Sequence, residues 1–142
     1  MAASDSAAIL TDGCQCGKVR YEVGGPRLGL YVCHCRECRK QSASAFGISA
    51  FFRSAGLRLV SGELQSWSRT TKSGWRLISF FCPACGSRVW HGDKDREAEI
   101  CIKGGSLDEP PDLTGAVHIW TSRTLPGVII PEQARRHAED PD

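Results

Sequence analysis

The sequence predicts an all-β fold of short antiparallel strands in packed sheets, with little helix. Apolar and polar residues alternate with a period of two in short segments, turn residues separate these segments, and none sustains a helical period. Many short strands at close spacing are typical of a β-sandwich or an open barrel. The predicted strands span residues 18–23, 28–32, 46–52, 57–60, 64–68, 75–81, 88–91, 98–102 and 116–120.

The first of these segments, KVRYEV, has the clearest alternation, which places Val19, Tyr21 and Val23 on one face of a strand. The later segments are shorter and bounded by glycine, serine, aspartate or proline turns. Helix is expected only as short turns, one after Cys35 and another near Leu107. The predicted elements, taken in order, are therefore strands interrupted by only two short helical turns.

A single zinc-binding domain is predicted over residues 1–142, with a core at about 13–130 and a polar, frayed tail at 131–142. The net charge of +2 is too small to indicate binding to nucleic acid or to a membrane surface. The first ten residues carry no basic leader, and no segment reaches the roughly 20 apolar residues of a membrane span. We therefore expect a soluble, cytoplasmic protein with no nucleic-acid or membrane partner.

The eight cysteines are the most informative part of the composition. In a reducing compartment, clustered cysteines are more typical of metal sites than of disulfides. Cysteines separated by one residue also bridge each other only with strain. A secreted disulfide scaffold is the alternative, although the start of the chain offers no export signal for it. The cysteines form three motifs, which are CQCG (14–17), CHCREC (33–38) and CPACG (82–86).

The motif CPACG is the strongest metal-binding signal. Its two-residue gap lets Cys82 and Cys85 reach one ion, and Gly86 can adopt the positive φ that such a knuckle requires. The motif CQCG is a tighter knuckle that is also followed by glycine. Two knuckles with two thiolates each make a closed structural zinc site. The predicted ligands of this site are Cys14, Cys16, Cys82 and Cys85.

This allocation leaves Cys33, Cys35 and Cys38 as a set of three. Three protein ligands and one open position are typical of catalytic zinc, whereas structural sites are saturated. We therefore predict a second, catalytic zinc on these residues. Another allocation pairs two of them with Cys82 and Cys85, and the spacing alone leaves it open.

Four further residues lie near these motifs or in strands. His34 is expected to face away from the metal, because neighbouring side chains in an extended segment point in opposite directions. Cys101 alternates with apolar neighbours and is interpreted as a small buried strand residue rather than a ligand. His91 and His118 follow strand-like segments and are interpreted as packed or solvent-facing, with a position near the metal site as the alternative.

The order of the motifs resembles that of the glutathione-dependent formaldehyde-activating enzyme family, which also includes centromere protein V. The resemblance runs from about Gly13 to Ser122 and depends on the combination of the motifs rather than on any one of them. It implies a β-tent, an all-β architecture of packed sheets around zinc. The motifs that carry it are GCQCGKVRYEV, CHCRECRKQSASAFG, FFCPACGSRVW, IKGGSLDEP and VHIWTS.

The resemblance also implies an activity and two zinc ions per chain. The implied activity is that of a carbon–sulfur lyase or synthase acting on the adduct of glutathione, or another thiol, with formaldehyde or another small aldehyde. The implied catalytic zinc falls on Cys33, Cys35 and Cys38, and the structural zinc on the four cysteines of the two knuckles. The sequence departs from the family where Pro126 is followed by Gly127 instead of tryptophan. This departure predicts a substrate pocket of different size.

Glutathione carries two carboxylates, so its site is expected to offer cations. Arg39 and Lys40 directly follow Cys38 and are predicted to bind the substrate. An ordinary solvated surface is the alternative for them, as it is for four other cations, Arg36, Arg88, Lys103 and Arg123. Two other functions remain open at this point. They are a non-enzymatic zinc-binding interaction module and a thiol-based sensor.

Overall fold

The computed structural model describes residues 9–93 and 97–141. These residues form ten strands, one α-helix, α1 (Arg36–Ser42), and four 3₁₀ turns at Ser54–Gly56, Gly104–Ser106, Leu113–Gly115 and Thr121–Arg123. The strands are β1 (Ile9–Gly13), β2 (Arg20–Gly24), β3 (Gly29–Cys33), β4 (Gly47–Arg53), β5 (Leu57–Ser61), β6 (Gln65–Thr70), β7 (Arg76–Phe81), β8 (Arg88–Asp93), β9 (Glu99–Lys103) and β10 (Val117–Ile119).

The predicted all-β class is confirmed, and every predicted strand overlaps a strand of the structure. The helical turn expected after Cys35 is α1, and the one expected near Leu107 is the 3₁₀ turn that ends at Ser106. Strand β1 was not predicted from the sequence. The predicted domain also includes residues 1–8, 94–96 and 142, which lie outside the described residues. None of the described helices has the length and apolar character that crossing a membrane requires.

The strands form two sheets. A small sheet has the order β1-β2-β5, and a large sheet has the order β10-β3-β4-β9-β8-β7-β6. All pairings are antiparallel except that of β10 with β3, which is parallel. The chain passes from one sheet to the other several times. Cysteine motifs that are far apart in sequence therefore lie close together beyond the ends of their strands.

The core lies between the two sheets and follows the period of two. The predicted face of β2, with Tyr21 and Val23, is fully buried together with Val19. The large sheet contributes the alternating side chains Val32, Ala50, Phe52, Trp90, Ile100 and Ile102. Tyr21 packs edge-on against Trp90 with the ring centroids 5.1 Å apart. Each large apolar side chain buried here contributes roughly 1.5–3 kcal/mol to folding.

The other face of the large sheet carries the remaining side chains, and we call it the second face. Cys33, Ser49 and Lys103 belong to this face because their positions alternate with the core residues Val32, Ala50 and Ile102. Further residues of this face are joined to these by direct pairing across strands or by a spacing of two along a strand. They are Tyr31, Phe51, Cys101, His91 and Ser79. Unlike the core face, it is rich in polar and charged groups.

The predicted fraying of the tail is wrong for the residues described there. The amide N–H of His118 in β10 donates to the Arg135 carbonyl at 2.9 Å, and the His137 N–H donates back to the His118 carbonyl at 2.9 Å. The Trp120 indole N–H donates to the Asp140 carboxylate at 2.7 Å. Strand β10 lies at the edge of the large sheet, so its outer backbone groups need partners, and the polar tail supplies them.

Candidate metal centres

Two similar knuckles bring together four cysteines, which we call the four-cysteine cluster (Cys14, Cys16, Cys82, Cys85). The first knuckle follows β1 and the second follows β7. Each ends in a glycine with positive φ, 82° at Gly17 and 81° at Gly86, and each is closed by a hydrogen bond from that glycine N–H to the carbonyl of its first cysteine. The positive φ predicted for Gly86 is therefore present, because only glycine adopts it without steric cost.

The sulfur geometry of this cluster fits one tetrahedral ion. All four sulfurs lie within 4.8 Å of one another. The Cys14 and Cys16 sulfurs are 3.6 Å apart, and those of Cys16 and Cys82 are 3.8 Å apart. Four sulfurs at about 2.3 Å from a tetrahedral zinc ion would be about 3.8 Å from one another. The cluster therefore matches a closed zinc site.

Hydrogen-bond donors beside two of the four sulfurs, those of Cys14 and Cys85, favour thiolates. The amide N–H of Val19 donates to the Cys14 sulfur at 3.3 Å, and the Ser87 hydroxyl lies 3.3 Å from the Cys85 sulfur. Hydrogen bonds from the Ser87 hydroxyl and then from its amide lower the pKa of Cys85 to about 5. Since metal ligands must be deprotonated, these donors prepare the cluster to hold a cation.

The second group is the three-cysteine cluster (Cys33, Cys35, Cys38), whose sulfurs also lie within 4.8 Å of one another. Cys33 is the last residue of β3, Cys35 caps α1, and Cys38 lies in the first turn of that helix. The Cys35 sulfur accepts the amide N–H of Cys38 at 3.3 Å, so this ligand also acts as the N-cap. The strand end and the helix start thus position the three sulfurs together.

The charge state of the three-cysteine cluster also suits a cation. Hydrogen bonds from Cys33 and Cys38 lower the pKa of Cys35 to about 2. The pKa of Cys33 is raised, chiefly by its hydrogen bonds with Cys35 and Cys38. Three sulfurs this close repel one another when all are ionised. A divalent cation removes this repulsion.

Among the described residues, no fourth cysteine, histidine or carboxylate joins the three-cysteine cluster. Gly47, which pairs with Cys33, faces it without a side chain. The open allocation that combined two of these cysteines with Cys82 and Cys85 is wrong, because the latter gather with Cys14 and Cys16. Two predictions remain: the four-cysteine cluster holds a structural zinc, and the three-cysteine cluster holds a catalytic zinc.

His34 turns away from its cysteine neighbours. It is fully buried, and its Nε2 lies 2.9 Å from Nδ1 of His118, with the two rings stacked at a centroid distance of 5.2 Å. Burial, followed by the charge of the neighbouring His118, lowers the pKa of His34. Cys101 belongs to neither cluster and is half-buried on the second face, between Phe51 and His91, rather than in the core.

The predicted substrate cations lie on one side of α1. Arg36, Arg39 and Lys40 line a surface cavity of about 450 Å³ together with Ala43, Ser44 and Leu125. The Arg39 Nε is buried there without a hydrogen-bond partner among the described residues. Leu125 precedes Pro126, so the segment that departs from the family pattern contributes to this cavity.

The other candidate cations are separated from this cavity. Lys103 is buried on the second face, and Arg88 donates to Ser79 there while lying 5.6 Å from the centre of the Trp67 ring. Arg123 is exposed in the last 3₁₀ turn. The sequence reasoning missed Gly47 and Ser49, which lie in the strand opposite Cys33. The only local signal for Gly47 was the small-residue stretch SASAFG (42–47), and Ser49 lies beyond that stretch.

Comparisons with known proteins agree with this arrangement. The crystal structure of a Rhodobacter sphaeroides protein is similar with a TM-score of 0.59 and 26% sequence identity, and the match covers 77% of this chain and 99% of that chain. The sequence profile of the glutathione-dependent formaldehyde-activating enzyme family matches residues 9–123, most of the chain. This chain therefore belongs to the glutathione-dependent formaldehyde-activating enzyme family, and its two cysteine clusters indicate a zinc-binding enzyme of that kind.

Proposed function

We propose that this protein is a zinc-dependent carbon–sulfur lyase or synthase that acts on the adduct of glutathione, or another thiol, with formaldehyde or another small aldehyde. One observation carries the proposal: three sulfurs gather without a fourth protein ligand among the described residues, in a chain of this family. The four-cysteine cluster offers a complete set of ligands, which is typical of structural zinc. The contrast between the two clusters supports a catalytic role for the three-cysteine cluster.

Cys33, Cys35 and Cys38 would hold the catalytic zinc, and the four-cysteine cluster would hold a structural zinc. A zinc ion bound there would lower the pKa of an incoming thiol and keep it as a thiolate. Three cysteinates around a divalent ion leave a net negative charge, so a further thiolate would be electron-rich and nucleophilic. Gly47 leaves space beside Cys38 because it has no side chain.

Arg39 and Lys40 would bind the carboxylates of the thiol substrate. Both line the cavity of about 450 Å³ next to the helix that carries Cys38, and neither forms an ion pair with a carboxylate of the described residues. An arginine fork matches a carboxylate, and the buried Arg39 Nε still has a proton to donate. Replacing Arg39 with methionine should therefore raise the KM for glutathione more than it lowers kcat.

The expected partner is a small thiol, and the expected location is the cytoplasm. Eight free cysteines and a thiol substrate both fit a reducing compartment. The small net charge of +2 gives no support to nucleic-acid binding, which depends on phosphate neutralisation.

The decisive test compares three cysteine variants. Cys35→Ala should abolish turnover, measured as the exchange of formaldehyde with its glutathione adduct by NMR, while the fold remains intact. Cys85→Ala should unfold the protein or destabilise it by several kcal/mol, because the four-cysteine cluster joins β1 to the β7–β8 hairpin. Cys101→Ala, outside both clusters, is the matched control and should keep activity and stability.

Unchanged turnover in Cys35→Ala would remove the enzymatic proposal. In that case a non-enzymatic zinc module remains, or a thiol-based sensor if mild oxidation releases zinc from the three-cysteine cluster.

A further inference from the structure

A buried lysine on the second face has no carboxylate partner among the described residues. Lys103 is 8% exposed, and its ammonium group donates to the Ser49 hydroxyl at 3.0 Å. None of the ion pairs between described residues includes it. Burying an ammonium group is costly unless an anion compensates its charge. The position of Lys103 therefore needs an anionic neighbour.

The three-cysteine cluster begins on the same face of the large sheet, two strands away from Lys103. Lys103 pairs with Ser49, and Gly47, two residues earlier on the same face of β4, pairs with Cys33. Two residues along a strand correspond to about 7 Å. Lys103 thus lies on the same face of the large sheet as Cys33, with only β4 between their strands.

A buried imidazole extends this polar surface. His91 is 6% exposed and pairs with Cys101, which places it diagonally next to Lys103 on the second face. Burial, and then the charges of Lys103, Arg88 and Arg69, lower the pKa of His91, so the ring is neutral. Its Nε2 has no hydrogen-bond partner among the described residues. This buried nitrogen is therefore available to hydrogen-bond with a ligand or a water molecule.

We propose that Lys103, Ser49 and His91 form an oxyanion subsite, which receives the oxygen of the aldehyde while the three-cysteine cluster receives the sulfur of the thiol. This inference rests on the proposed function and adds the groups that act on the oxygen. Lys103 carries the charge, and Ser49 orients its ammonium group. His91 adds a polar atom, its unpartnered Nε2, to the same face.

The chemistry at this subsite follows from the electron flow. When a thiolate adds to the carbonyl carbon, a carbon–sulfur bond forms and the π electron pair of C=O moves onto the oxygen. A proton from water then converts this alkoxide to the hydroxyl group of the adduct. A preorganised ammonium group stabilises the negative oxygen where it forms. The lyase direction reverses these steps.

A binding experiment tests the subsite without measuring turnover. Protein loaded with Co²⁺ is titrated with thioglycolate and with thioglycolamide, a neutral thiol of the same shape, and thiol ligation is followed by the sulfur-to-cobalt absorption band. In the wild type, the carboxylate should favour thioglycolate through Lys103. In Lys103→Met, the ratio of the two dissociation constants should fall by roughly tenfold or more, because a charge-assisted hydrogen bond is lost. Comparing this ratio between proteins cancels the different acidities of the two thiols.

The control is Lys72→Met in the exposed turn between β6 and β7, which should keep the wild-type ratio. If Lys103→Met retains that ratio, the subsite is refuted, while the proposed function stands because the thiols still ligate. If neither thiol changes the cobalt spectrum of the wild type, the open position itself is refuted, and the subsite with it. Should the methionine variant fail to bind a second cobalt ion, Lys103→Gln provides the same comparison with a polar side chain.

Discussion

Single residues decide how much room the three-cysteine cluster has. A Cβ atom added at Gly47 would lie 3.2 Å from the Cβ and 3.6 Å from the sulfur of Cys38. Contacts of this kind force the neighbouring residue to move, and the sulfur positions must hold within a few tenths of an ångström to bind zinc. A missing side chain is therefore as important here as the ligands themselves.

Replacing Gly47 with valine should remove the second metal and keep the first. The branched side chain collides with Cys38, whereas the four-cysteine cluster lies elsewhere in the fold. Zinc measured by mass spectrometry should fall from two equivalents per chain to one. Gly105→Ala is the control, because a Cβ there meets open space. Two retained equivalents in Gly47→Val would contradict this account of the site.

The buried His91 predicts a pH dependence of stability. Its pKa is lowered from 6.5 to about 2, first by burial and then by Lys103, Arg88 and Arg69. Below pH 6.5 the unfolded chain therefore takes up a proton that the folded chain does not, and stability decreases as the pH falls toward 2. This loss amounts to roughly 1.4 kcal/mol at pH 5.5.

Urea unfolding in zinc-containing buffer at pH 7.5 and 5.5 measures that loss. The wild type should lose more stability between the two values than His91→Asn, by about 1.4 kcal/mol. Acid-induced zinc loss affects both proteins, so the difference between them isolates His91. Equal losses in the two proteins would show that His91 takes up its proton normally in the folded state.

At the scale of elements, the polar tail acts as the partner of an edge strand. Five backbone hydrogen bonds join residues 135–139 to β10 and the turn that follows it. The parallel pairing of β10 with β3 places the tail on the far side of β10 from Cys33. The tail thus covers the outer edge of β10, the strand that pairs with β3 next to Cys33.

Deleting residues 132–142 should destabilise the protein by roughly 2.5–7.5 kcal/mol, since each of the five backbone hydrogen bonds contributes about 0.5–1.5 kcal/mol. Thermal unfolding of the zinc-loaded protein measures this loss. Deleting 141–142 alone removes none of these bonds and is the matched control. If the protein without residues 132–142 kept wild-type stability, the hydrogen bonds between the tail and β10 would not contribute to folding.

For the whole molecule, the two clusters predict metals of unequal affinity. The four-cysteine cluster provides four ligands, which is a complete tetrahedral set, whereas the three-cysteine cluster provides three among the described residues. A graded chelator should therefore remove one zinc equivalent early and the second only as the fold is lost. Glutathione should slow the early release, because it would supply a fourth sulfur. Simultaneous loss of both ions would contradict the distinction.

Local features of the sequence predicted much of this molecule. Alternation predicted the strands because burial on one face of a sheet repeats every second residue, as at Val19, Tyr21 and Val23. The knuckles were recognisable because their cysteines lie within a few residues and end in glycine. Strand β1 and the ordered tail were missed because their stability comes from backbone pairing with distant segments, which side-chain composition does not report.

The sequence by itself determined the fold class, the three cysteine motifs and the family. The strands and the motifs depend on residues that are close neighbours along the chain, and the family depends on the order of those motifs. Only the tertiary structure decided that Cys14 and Cys16 gather with Cys82 and Cys85, and that Lys103 shares a sheet face with Cys33. The physical reason is that strand register sets which distant residues meet. Register is a property of the complete set of pairings in both sheets, so no single segment encodes it.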